Sequence, residues 1–224
     1  MRKQHTRRDF ICDISRTGFG MLGFGAFMQS CAEKGVSYSQ NLANLYIKSI
    51  RKIIRIVNER ELPKIKQAAG LAVQAKLQGH KLYAHIVGGM LDGVTDKKRP
   101  GNPDIFITED IYRASRDDFV VTNDPGVVRG FSERLVKVVG LTTPSVHNIR
   151  TPPGALENMG AYRIEDVSDI VIYCHVPYTD GIVNVEGIDI LLFPASGIIH
   201  TLIYYALVSE IVEELSGQGV YYTI

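Results

Sequence analysis

The sequence predicts an α/β fold with a mainly parallel sheet covered by helices on both faces. Three observations point there. Short apolar runs at 81–86, 119–122, 136–142 and 170–174 are continuous, as in strands buried on both sides. Segments of helical period flank and separate them. The 224 residues are 45% hydrophobic and 22% charged, enough apolar material for one ordinary core. The same values exclude a disordered or collagen-like chain.

The first helix begins near Leu42. Leu42, Leu45, Tyr46, Ile50, Ile53, Ile54 and Val57 recur at helical spacing, with Lys48, Arg51, Lys52 and Arg55 off that face. A second helix runs over about 62–78. Pro63 suits its first turn and Gly79 its end, and Ile65, Ala68, Ala69, Ala72, Val73 and Leu77 form its apolar set. A strand at 81–86 runs into Gly88-Gly89, and the polar, proline-bearing stretch 92–104 reads as a loop. Ile105-Phe106-Ile107 is a short strand, 119–122 a buried one, and Asn123-Asp124-Pro125-Gly126 its turn. A short helix fits 127–135 and a strand 136–142. Residues 143–163 are loop-rich, 170–174 is a strand, and a long helix closes the chain from about 196 to 215.

Residues 190–209 contain no Asp, Glu, Lys or Arg, the composition of a membrane span. Pro194-Ala195-Ser196-Gly197 divides the run, and His200 is costly in lipid. A strand end followed by a buried helix is the better reading.

The first thirty residues read as an address. Five of the 25 basic residues and two of the 24 acidic ones precede Cys31, so the body is faintly acidic. That balance, without a basic stripe, argues against a nucleic-acid partner. Thr6-Arg7-Arg8-Asp9-Phe10-Ile11, followed by a glycine-rich apolar run, resembles a twin-arginine export signal. Met28-Gln29-Ser30-Cys31 resembles a lipoprotein cleavage box, which implies a lipid on Cys31. Simple cleavage near Ala32 is the alternative. The expected organisation is a signal over 1–31, a tether over 32–41 and one domain over 42–224. The expected location is periplasmic or at the cell surface, with membrane contact only through the lipid. Cys174 is the one cysteine of the body, so no disulfide forms within it, and it reads as a buried small hydrophobe.

A family resemblance enters at Ile164-Glu165-Asp166-Val167-Ser168-Asp169-Ile170-Val171-Ile172. With Val185-Glu186-Gly187 and the helix from Ser196, it resembles the C-terminal third of single-domain sugar-isomerase (SIS) proteins. The likeness spans about 42–219. It implies a three-layer α/β/α sandwich with about five parallel strands, a phosphosugar or other sugar ligand, and a homodimer. It also implies hydroxyl-rich loops after two strands. Thr122 and Asn123 stand at the first of these, and Thr142, Thr143 and Ser145 at the second. Gly88 and Gly89 stand at a glycine loop that here carries no hydroxyl. Asp124 beside that loop is repulsive to phosphate. The residues therefore favour a neutral sugar or a sugar derivative with an uncharged end.

For chemistry, aldose–ketose isomerisation needs a base and an acid. His200, one turn into the last helix behind Ser196 as cap, is the first candidate and aligns with a helix histidine of the heptose-phosphate isomerase branch. A buried, hydrogen-bonded histidine is the competing reading. Glu186 is the second candidate, as a carboxylate among apolar neighbours whose pKa burial would raise. A solvated loop glutamate competes with that. No cofactor is expected. A weaker alternative is a zinc ion held by His85, His147 and His175, each of which follows a strand. Three functions stay open: a sugar isomerase, a non-catalytic carbohydrate-binding module, and a lipid-anchored scaffold.

Overall fold

The computed structural model describes residues 41–87, 94–96, 99, 101–128, 130–131, 133–142, 164–177 and 179–220. The signal and nearly all of the tether lie outside the described residues, as do Cys31, Gly88, Gly89, Thr143, Ser145 and His147.

Helix α1 spans Leu42–Arg60 and α2 spans Leu62–Leu77. The Asn41 side chain caps α1 by accepting from the Asn44 N–H at 3.0 Å. Pro63 sits in the first turn of α2, where its missing N–H costs nothing. Gly79, at φ 85°, ends α2. Its N–H bonds the Lys76 carbonyl at 3.0 Å and the His80 N–H reaches back to Ala75 at 2.9 Å, which satisfies two carbonyls of the last turn.

Strand β1 is Leu82–His85, β2 is Phe119–Thr122, β3 is Lys137–Thr142 and β4 is Ile170–Tyr173. They pair in parallel in the order β1-β2-β3-β4. The fifth strand expected at 105–107 is reduced to one parallel bridge between Ile107 and Tyr83 on the outer side of β1. Ile107 still makes both ladder bonds there, at 2.7 Å to Leu82 and 3.0 Å from Ala84. The chain thus moves outward from β1 and then returns to its other side.

Alternate strand residues face two cores. Leu82, Ala84, Phe119, Val121, Val139, Leu141 and Ile172 pack under α1, α2 and helix α5, Ser196–Gly217. Tyr83, Val120 and Val138 face Ile111, Val128, Phe131 and Ile164 on the opposite side. Among the described residues that second layer holds a 3-10 turn at Ile111–Arg113 and two one-turn helices, α3 at Pro125–Val128 and α4 at Ile164–Val167. The helix expected over 127–135 is therefore a single turn. Gly140 of β3 lets α4 approach, because a Cβ there would strike Ser168 Oγ and Ile164.

After β4 the chain forms an antiparallel hairpin of β5, Gly181–Val183, and β6, Leu192–Pro194. The strand end expected ahead of the last helix corresponds to β6, whereas β5 and the hairpin pairing have no counterpart in the sequence reading. Among the described residues no helix is long and apolar enough to cross a membrane. The uncharged run 190–209 is divided between β6 and α5, and Ile199, Ile203, Leu207 and Ile211 of α5 are fully buried.

Candidate functional site

Open parallel sheets bind ligands beyond the carboxyl ends of their strands, at the point where successive connections leave in opposite directions. Here that point lies between β1 and β2. His85 ends β1, and Thr122, Asn123 and Asp124 end β2. The Asn123 amide clamps the β1 loop. Its Oδ1 accepts from the Val87 N–H at 2.8 Å and its Nδ2 donates to the Val87 carbonyl at 2.8 Å. Thr122 is fully buried, and its Oγ1 accepts from the Asp124 N–H at 3.0 Å. Asp124 Oδ1 accepts from the Gly126 N–H at 2.8 Å, and Oδ2 stands 3.5 Å from His85 Nε2. The side chains of His85 and Asp124 are 29% and 33% exposed, so both are reachable from solvent.

Thr122 and Asn123 therefore help to build the rim of this edge. Among the described residues, the accessible chemistry is the His85–Asp124 pair. Thr142 ends β3 one strand further along and is 8% exposed. Its carbonyl accepts from the Cys174 N–H at 2.8 Å.

A second cluster sits at the carboxyl end of β4. Glu61, between α1 and α2, is buried with its side chain 3% exposed. Oε1 lies 2.8 Å from His175 Nε2, while Oε2 accepts from Lys64 Nζ at 2.8 Å and from the Tyr173 N–H at 3.2 Å. Burial pushes this carboxyl up, but the Lys64, His175 and Tyr173 hydrogen bonds outweigh it and hold it below the usual carboxylate range. His175 adopts a left-handed backbone, φ 54°, to reach it. Nothing in the sequence spacing couples Glu61 to His175. The only local signal was Lys64 three residues after Glu61.

The start of α5 is already occupied by the chain itself. Ala195 stands at the cap position in place of the expected Ser196. Asp180 Oδ1 accepts from the N–H groups of Ala195 at 3.0 Å and Ser196 at 2.7 Å, and Oδ2 accepts from Ser196 Oγ at 2.8 Å. The Asp180 carboxylate thus fills the place a phosphate would take. The Ser196 hydroxyl, expected at the ligand site, is held by Asp180.

His200 follows on the next turn, 8% exposed. Its Nε2 is buried with no hydrogen-bond partner among the described residues. Burial pulls the imidazole down to about 4, against a smaller upward pull from Asp180, so the ring is neutral at neutral pH. Glu186 lies exposed in the turn between β5 and β6, as a solvated loop glutamate. Cys174 is fully buried and its thiol is pushed up to about 11, so it stays protonated.

Of the three histidines in the zinc alternative, His147 lies outside the described residues and the other two stand apart. His85 ends β1 and His175 follows β4, with β2 and β3 between them. At about 4.8 Å per strand that is roughly 14 Å, too far to share one ion. Among the described residues no cluster of three metal-binding side chains occurs. No protein-family model matches the chain, and no curated protein sequence matches it.

Proposed function

We propose that this chain is an exported, SIS-like protein that binds a neutral sugar, or a sugar derivative with an uncharged end, at the β1/β2 edge of its sheet. One observation carries the reading. Strand order reverses at β1, the position where open parallel sheets take their ligands, and among the described residues the accessible side chains at that edge are a histidine and a carboxylate 3.5 Å apart. Carboxylate and imidazole both exchange hydrogen bonds with sugar hydroxyls. The Asp124 charge repels a phosphate at the same place. Export by the twin-arginine route, anchoring through Cys31 and homodimer formation belong to the same proposal and rest on the sequence.

Melting shifts across a panel of free sugars and their phosphates test it. A free sugar stabilises the chain, and Asp124→Ala abolishes the shift. Tight binding of a sugar phosphate with no response to the free sugar refutes the reading.

The pair also favours a catalytic version over a scaffold. His85 beside Asp124 is placed to accept and return a proton, the step an aldose–ketose isomerisation requires. Solvent deuterium entering the sugar at C2, and lost in His85→Gln, supports an enzyme. Binding without exchange supports a carbohydrate-binding module.

A further inference from the structure

A groove of about 400 Å³ lies on the outer helical layer between α1, α2 and α5, on a different face of the fold from the β1/β2 edge. Its size falls in the range of small-molecule sites. Ile54 of α1, Leu62 of α2, and Leu202 and Ala206 of α5 contribute to an apolar lining. The polar lining comes from α1 alone, and two of its three members are Arg51 and Arg55, one turn apart and both exposed.

Among the described residues no acidic side chain lines this groove. Arg55 touches Glu59 at 3.7 Å, but that pair is 70% and 60% exposed and holds the guanidinium weakly. Helix α1 as a whole carries Lys48, Arg51, Lys52, Arg55 and Arg60 against Glu59, so the potential along this wall is positive. An apolar trough with guanidinium groups along one wall suits one kind of guest. That guest has a flexible apolar body and a single anionic end, because guanidinium pairs carboxylate through paired N–H donors. A sugar has no apolar body to fill the trough, and an uncharged hydrocarbon leaves the arginines unused.

We propose that this groove is a binding site for single-chain anionic amphiphiles, with the chain against Ile54, Leu62 and Leu202 and the carboxylate at Arg51 and Arg55.

The test uses the full chain and dodecanoate below its micelle concentration. Displacement of the fluorescent fatty acid 11-(dansylamino)undecanoic acid reads the affinity, with dodecan-1-ol as the uncharged control. Dodecanoate binds at least about tenfold more tightly than the alcohol. The Arg51→Ala/Arg55→Ala variant, exposed and without effect on folding, removes that difference and leaves alcohol binding unchanged. Ala206→Phe fills the groove and blocks both ligands. If that variant proves unfolded by its melting curve, Leu202→Phe replaces it. Equal binding of acid and alcohol, an unaffected arginine variant, or no displacement by dodecanoate overturns the proposal. So does sedimentation showing a dimer that Ala206→Phe converts to monomer, because the groove is then covered by a second copy. Asp124→Ala leaves dodecanoate binding unchanged, so failure here and failure of the sugar reading are separate results.

Discussion

Acid should unfold this protein partly through His200. The folded ring titrates near 4, whereas the ordinary value is about 6.5. Between those values the unfolded chain binds the proton and the folded chain does not. Stability from this group is therefore complete above about pH 6.5 and is lost as pH falls toward 4. The fall from about 6.5 to about 4 corresponds to roughly 3 kcal/mol over that window. His200 is only 8% exposed, so solvent screening takes little from that figure. The perturbation is His200→Met, which keeps an apolar body and removes the titration. At pH 7 the variant is as stable as the parent or more so, because it deletes a buried ring nitrogen that has no partner among the described residues. Urea unfolding of both proteins at pH 7, 6, 5 and 4 provides the measurement. The difference between them should widen in favour of the variant as pH drops. Parallel stability curves would show that His200 is solvated or paired in the folded state, and the reasoning would be refuted.

Three further outcomes follow from the geometry. Glu61→Gln leaves Lys64 and His175 without their anion, and a buried pair broken on one side costs about 3–5 kcal/mol. Lys64 is 38% exposed and can turn to water, so the loss falls at or below the low end of that range in urea unfolding at pH 7. Because the Glu61 carboxyl is held below its ordinary value, its contribution is present above about pH 4.5 and fades as pH falls through the lowered value. The gap between parent and Glu61→Gln should close at that acid limb. Asp180→Ala removes the acceptor for two N–H groups and a hydroxyl at the start of α5, and costs about 1–2 kcal/mol in the same assay. Gly181→Ala drives a methyl into the Leu191 backbone where β5 meets β6, and thermal melting should show a loss above about 1 kcal/mol.

The helices were legible because their information is local. The apolar spacing from Leu42 to Val57 and the Pro63 and Gly79 signals carried α1 and α2 nearly residue for residue. The runs at 119–122, 136–142 and 170–174 located β2, β3 and β4 for the same reason. The β5–β6 hairpin escaped because its pairing depends on Gly181 meeting Pro194 across a turn that has no strong signal. The site was less readable than the fold. Thr122 and Asn123 stand at the β1/β2 edge, where their side chains bond Asp124 and Val87. Asp124 was noticed only as a charge hostile to phosphate, and its nearness to His85 is a product of β1 lying beside β2.

By itself the sequence determined the α/β class, the main helices and most strands, because periodicity and end signals act within one or two turns of chain. Tertiary structure alone decided which polar groups meet. Glu61 finds His175 across 114 residues, and Asp180 finds Ser196 across 16. A hydrogen bond depends on distances near 3 Å in space. Chain spacing does not encode that distance, so strand order and helix packing have to supply it.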